Sequence, residues 1–332
     1  FKDLSQLFFF PASLDYTHTG REVSLSDVVR LSRRCYENCQ TFIFEGDDVA
    51  AGLQGSEVSS VATGESPLSH LEGSWPYVVA GGGGGYAIAN ISNTSSLSIV
   101  VSGNAGTNDV SMYEELAFLA QDGVSVINLS DSPITAQGFA GTSESARFIP
   151  DYPYGYNVQE RGVLASYYIG NLSNMVSLGS SSVSGLGLVD AAYDPRGYVF
   201  AADGNDVHVY DVRDRANPRY IAEYSVGGAQ SLTYRDGTLY VVTSGSVESY
   251  RPDDPLSGLG SVSDSLSFGG GESQIWRNTL FVEQSEGYRV VDITNSGSLQ
   301  EIQDVTLSSS DGVYVNHDAA YTVSGADITA WD

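Results

Sequence analysis

Apolar positions along this chain fall into short runs of four to six residues, cut by glycine, asparagine and aspartate. None has the three-to-four spacing of a long amphipathic helix. The clearest stretch is Tyr198-Val-Phe-Ala-Ala, then Asp203-Gly204, then Asp206-Val-His-Val-Tyr-Asp211. An apolar run, a tight Asp-Gly turn and an alternating run predict a β-hairpin. A looser copy runs from Phe281 through Glu286-Gly287 to Asp292, and further copies begin at Tyr77, Ala117, Tyr156, Tyr240 and Tyr321. The seven anchors are separated by 40, 39, 42, 42, 41 and 40 residues. Each unit reads as four strands: an opening strand such as Gln230–Tyr234 or Ser273–Trp276, the anchor strand, an alternating third strand, and an outer strand such as Tyr220–Val226. Glycines then return the chain to the next unit. Four strands per period of about 40 residues, repeated seven times, predict an all-β, seven-bladed β-propeller.

Ring closure is also legible. The last unit has an opening strand (Val313–Val315), an anchor strand from Ala320 and a third strand ending at Trp331, but no room for a fourth. A spare strand, Glu57–Ala62, precedes the first opening strand near Leu68–Leu71. Pairing it with the last blade would remove two exposed edges. The expected organisation is an extension over residues 1–53 and a propeller over 54–332. The extension carries Phe8-Phe9-Phe10 and a short helix from Asp27 to about Asn38, capped by Ser24 or Ser26. With Lys2, Arg21, Arg30, Arg33 and Arg34 it reads either as a strap packed on the propeller or as a docking segment for a larger assembly.

The repeat resembles that of the LVIVD-repeat propellers, whose units run aromatic-V-A, a glycine turn, then L-x-I-V-D-V-S-D-P. Tyr198 to Asp214 with Pro218, Phe281 to Asn295, and Ala117 to Pro133 carry the resemblance, which covers about residues 57–332. The family's aspartate is Asn at 90, 128 and 171, and Arg251 takes that place in the fifth unit. The resemblance implies an exported module, common in halophilic archaea, and little chemistry. Propellers also serve as receptor-binding heads on virus particles.

Composition narrows the setting. With 41 acidic and 15 basic residues the formal charge is −26, and Lys2 is the only lysine. Such a charge destabilises a fold by self-repulsion unless salt screens it, which is the pattern expected of a halophile's protein. It also repels polyphosphate, so nucleic acid is not an expected partner. No apolar run is long enough for a membrane-spanning helix. The chain begins at Phe1 with no visible signal peptide, as a processed chain or a fragment would. Together these features predict an extracellular location, on a cell envelope or a virion surface.

Candidate chemistry is sparse. Cys35 and Cys39, four residues apart, are expected to form a local disulfide, with free thiols the alternative. His18, His70, His208 and His317 form no metal-binding motif, and no metal ligand set stands out. His70 and His317 fall on opening strands, which line a propeller's channel, and could approach Asp190. A hydrolase or lyase with a channel-mouth site is therefore the alternative to a non-enzymatic binding module. Calcium is the one cofactor left open, at the acidic turns Asp203–Asp206, Glu45–Asp48 and Asp253-Asp254. Gly81–Gly85 lacks the lysine and helix of a phosphate loop and reads as a flexible turn. Asn90, Asn93, Asn128 and Asn171 head N-x-[ST] sequons; at 90, 128 and 171 they occupy the position of Asp211 and Asp292, where the side chain would form a turn whether or not glycan is attached. Tyr152, Tyr154 and Tyr156, in Asp151-Tyr-Pro-Tyr-Gly-Tyr, are the candidate contact residues for a protein or glycan surface partner.

Overall fold

The computed structural model describes residues 57–331 apart from 132, 133, 135, 140–143, 308–310, 317 and 318. The N-terminal extension, with Cys35, Cys39 and the helix expected over 27–38, lies outside these residues, as do His317 and the turn Glu45–Asp48. The described chain forms seven four-stranded antiparallel sheets. Six are built from four consecutive strands each; the seventh has the order Glu57–Ala62, Asp327–Trp331, Ala320–Ser324, Val313–Val315. The expected closure is thus observed: Ser60 pairs with Thr329 and Val61 with Ile328. Among the described residues the one helical element is a 3-10 turn at Leu172–Asn174, and no helix is long and apolar enough to cross a membrane.

The inner strands are His70–Ser74, Asp109–Tyr113, Ser145–Asp151, Asp190–Asp194, Ala229–Arg235, Ser273–Trp276 and Val313–Val315, in blades 1 to 7. Each touches the next, and the seventh touches the first, so the ring is closed. The hydrophobic core is correspondingly divided into seven clusters, one between each pair of neighbouring blades. This explains why the anchor strands carry apolar residues at consecutive positions, as Tyr198–Ala202 does throughout. In Tyr198–Ala202, Phe200 and Ala202 face blade 5 while Val199 and Ala201 face blade 3. Period-two alternation then selects which neighbour a side chain meets, not whether it meets water. The third strand follows the same rule. His208 and Tyr210, expected on a more polar face than Val207 and Val209, are fully buried, because this strand too is covered by blades on both sides.

Gly81–Gly85 owes its composition to close packing rather than flexibility. A Cβ at Gly84 would lie 2.1 Å from the Ser66 carbonyl carbon, and one at Gly82 would lie 2.5 Å from the Pro67 oxygen. The segment leading from the closing strand into blade 1 crosses directly over this hairpin, so a side chain at either position would displace backbone.

Candidate functional site

Strand polarity gives the ring two different faces. Every inner strand starts on one face and ends on the other. The first face collects the returns between blades and the turns from second to third strand. The second collects the turns from first to second strand and the connections from third to fourth.

On the first face, five blades send ionisable side chains into the channel mouth. His70 Nδ1 contacts Glu272 Oε1, joining blades 1 and 6 across 202 residues of sequence. Arg147 of blade 3 donates to Asp190 Oδ1 of blade 4 and lies 3.6 Å, through Nε, from Asp109 Oδ2 of blade 2. Asp190 also accepts from the backbone N–H of Ala191 at 2.7 Å and of Leu232 at 2.7 Å, so its oxygens are occupied. Asp109 Oδ2 is buried and has no hydrogen-bond partner. Glu72 lies one step deeper, and Glu283 accepts from the N–H of Glu272 at 3.0 Å.

The electrostatics follow from crowding carboxylates in a protein-lined space. Burial holds Asp109 up, Arg147 and His70 pull it back, and its carboxyl settles at about 7. Glu283 is raised to about 7 by burial, with Glu272 and Asp311 adding to the effect. Burial also raises Glu72. For His70 burial acts downward, but the charge and hydrogen bond of Glu272 win and lift the imidazole to about 9. Arg147 is held even more firmly charged, since Asp190 and Asp109 outweigh its own burial. The free space among Leu71, Glu72, Asp109, Arg147, Glu272 and Gln274 is about 20 Å³, room for one water-sized occupant.

Of the residues flagged in the sequence for this channel, His70 and Asp190 are both present, but their partners are Glu272 and Arg147. Asp109, Arg147, Glu72, Glu272 and Glu283 were not singled out. A signal did exist: His70, Asp109 and Asp190 each open an inner strand, and Glu272 immediately precedes one. The fourth histidine lies elsewhere. His208 Nε2 is 3.1 Å from Asp203 Oδ2, a close contact without hydrogen-bond alignment.

The second face is aromatic and arginine-rich. Ten arginines and no lysine fall within the described region, and seven of them lie on this face: Arg196, Arg213, Arg215, Arg219, Arg235, Arg251 and Arg277. Trp75, Tyr152 and Tyr168 are exposed by 43%, 47% and 39%. The segment Asp151–Tyr156 contributes only a two-residue turn, because Tyr154–Gln159 is already strand. Its three tyrosines therefore have separate fates. Tyr152 is exposed and stacks on Tyr113 at 5.7 Å. Tyr154 is half-buried, edge-on to Tyr168, with the Arg215 guanidinium 4.2 Å above its ring. Tyr156 is fully buried against Tyr193, which leaves Tyr152 and part of Tyr154 at the surface. Arg215 also bonds Asp151 at 2.9 Å, so the group is braced. In blade 4, Asp211, Arg213, Asp214, Asn217 and Arg219 line a cleft of about 400 Å³. Arg277 is held at φ 53°, a backbone conformation that residues other than glycine rarely adopt, with its guanidinium over Trp276.

Asn90 and Asn128 form the turns expected of them, and Asn93 forms one as well. Asn90 Oδ1 accepts from Ser92 N at 2.8 Å, Asn93 from Ser95 N at 3.1 Å and Asn128 from Ser130 N at 3.1 Å. Asp211 and Asp292 accept from Arg213 N and Thr294 N in the same way. Asn171 is exposed at the start of the 3-10 turn. The acidic turns spend their carboxylates similarly: Asp203 Oδ1 caps the N–H groups of Asn205 and Asp206, and Asp254 those of Leu256 and, through a hydroxyl, Ser257.

No family model matches the chain, and no curated protein matches it. Solved structures do. A chain of the mitotic checkpoint complex superposes with a TM-score of 0.65 at 9% identity, over 88% of this chain and 96% of that one. The WD40 β-propeller domain of Doa1 gives 0.65 at 12%, over 84% and 97%. Sqt1 of Saccharomyces cerevisiae gives 0.60 at 10%, over 83% and 98%. The chain has the β-propeller fold. At these identities the likeness carries no further than the fold, and the LVIVD resemblance remains one of repeat pattern.

Proposed function

We propose that this protein is a non-enzymatic binding propeller that holds a protein partner on its aromatic, arginine-rich face. The supporting observation is the segregation of side chains: in a chain of charge −26, seven of the ten described arginines share one face with Trp75, Tyr152 and Tyr168. Tryptophan, tyrosine and arginine are the residues that dominate binding energy at protein interfaces. WD40 propellers such as the Doa1 domain share the architecture, and a similar chain is part of the mitotic checkpoint complex, a protein assembly. The acidic, lysine-poor composition and the repeat pattern favour an exported module in a saline setting, on a halophilic cell envelope or a virion, with the basic N-terminal segment as tether. The hydrolase or lyase alternative is less well supported. Asp190 is saturated by three donors, and the free space among Glu72, Asp109, Arg147 and Glu272 is about 20 Å³, the size of a water.

The test is attachment of the fluorescently labelled full chain to intact halophilic archaeal cells, comparing the parent with Tyr152→Ala/Tyr168→Ala. Two lost aromatic anchors at about 2 kcal/mol each predict weakening by tenfold or more. Undiminished attachment by a folded double variant would remove the assignment of this face.

A further inference from the structure

We propose that His70, Asp109 and Glu272 form a site for a divalent first-row transition ion, which clamps blades 1, 2 and 6 together at the channel mouth. One imidazole nitrogen and two carboxylate oxygens from these residues lie within 4.8 Å of one another. Ligand atoms about 2.1 Å from a shared ion lie about 3–4 Å apart, so closing the set takes side-chain movements of about 1 Å, with the direct His70–Glu272 contact opening to admit the ion. The decisive feature is Asp109. The residue is 7% exposed, and its Oδ2 is buried at the cluster without a hydrogen bond. With the Arg147 Nε 3.6 Å away, too far for a hydrogen bond, that oxygen is poorly satisfied, and a coordinated cation would satisfy it.

The surroundings suit an ion rather than a molecule. About 20 Å³ is free beside Asp109 and Glu272. Six carboxylates (Glu72, Asp109, Asp190, Glu272, Glu283 and Asp311) surround His70 and Arg147, and a bound ion would take the place of the His70 proton. Arg147 is the competing cation, but its NH1 is committed to Asp190, and only Nε approaches Asp109, at 3.6 Å. The imidazole ligand selects the class. Calcium and magnesium prefer an all-oxygen shell, whereas manganese, iron and zinc accept mixed nitrogen and oxygen ligands. The site lies on the face opposite Tyr152 and Trp75, so it stands or falls independently of the proposed binding face.

The experiment titrates chelator-stripped full chain with Mn²⁺ in 1 M NaCl, following loss of the free-ion electron paramagnetic resonance signal. Molar salt suppresses diffuse attraction to an acidic surface, and Mn²⁺ avoids the thiols of Cys35 and Cys39. The expected result is one bound equivalent, with His70→Gln and Asp109→Asn each weakening binding tenfold or more. Asp203→Asn, which removes an acidic turn carboxylate from the same face, should leave it unchanged. Equal losses in all three variants, or none in the first two, would overturn the proposal. So would displacement of Mn²⁺ by equimolar Ca²⁺. If a variant fails to fold, the parent still decides: electron spin echo modulation from an imidazole nitrogen supports the site, and its absence sinks it.

Discussion

Asp211 offers a substitution whose control is already written into the repeat. Its carboxylate is buried at the start of the third-to-fourth-strand connection in blade 4. Oδ1 accepts from Arg213 N at 3.1 Å and from Arg213 Nε at 2.9 Å; Oδ2 accepts from Arg213 at 2.7 Å and Arg219 at 2.9 Å. Blades 1 and 2 place asparagine at this position and keep the turn. Asp211→Asn should therefore preserve the bond to Arg213 N and lose the two charge-assisted bonds at Oδ2. Both arginines are about half exposed or more, so these bonds are worth about 1 kcal/mol or less each. The new amide then faces two guanidinium groups without an acceptor, adding about 1 kcal/mol. The expected loss is about 2 kcal/mol, and Asp211→Ala, which also removes the turn bond, should lose about 3. The two arginines hold the carboxyl well below its ordinary value. A depressed acid stabilises the fold above its unfolded value near 3.8 and ceases to do so as pH falls through the folded value. The difference between parent and Asp211→Asn should therefore be full at pH 7 and shrink only below about pH 4. Urea denaturation at both pH values, at low and molar NaCl, reads all of this. If Asp211→Asn loses as much as Asp211→Ala, or its loss is the same at pH 3 as at pH 7, the arginine clamp is not what the aspartate provides.

Two further outcomes test larger features. Thermal midpoints should rise with NaCl or KCl up to the molar range, since a charge of −26 is screened as the Debye length falls from about 10 Å to about 3 Å; a flat or falling midpoint would show that self-repulsion does not control stability. Deleting residues 1–64 should uncover the edge of Asp327–Trp331 and open the ladder from Ser59↔Ala330 to Ala62↔Asp327, giving aggregation in size-exclusion chromatography; a soluble, cooperatively folding deletion variant would refute the role of the closing strand.

The fold was legible because its signal is repeated. Seven anchors about 40 residues apart each sit in a second strand, and the last unit's missing fourth strand is supplied by Glu57–Ala62. Repetition averages out local ambiguity, so even the weak copy at Ala117 falls in place. The misreadings arose where burial comes from neighbouring blades. Tyr156 looked like part of a contact loop because glycine and proline precede it, yet blade 4 covers it through Tyr193. His208 and Tyr210 looked polar-facing because they alternate with valines, yet this third strand has no open side. The channel cluster was partly legible. His70 and Asp190 stood on predicted inner strands, but nothing local distinguishes Asp109 or Glu272 from the other acidic residues of the chain. Their meeting depends on where each inner strand starts, and a shift of one residue would turn any of them out of the channel.

That dependence on phase also accounts for the contrast between the faces. Inner strands run in the same sense in all seven blades, so each repeat position is assigned to one face throughout the ring. Strand starts fall at the channel mouth, where a side chain meets counterparts from blades distant in sequence; His70 and Glu272, 202 residues apart, are the extreme case. Strand ends and third-to-fourth-strand connections fall on the other face, spread around a wide rim. There a substitution such as Asn90 to Asp211 between blades alters the surface while the turn bond persists. Convergent chemistry therefore belongs at the mouth, where few atoms fit and their charges interact strongly. Broad recognition belongs on the rim, where residues can vary without disturbing the ring. The distribution of side chains follows that division: the carboxylates that burial raises, Glu72, Asp109 and Glu283, crowd the first face, and exposed aromatics and most of the arginines occupy the second.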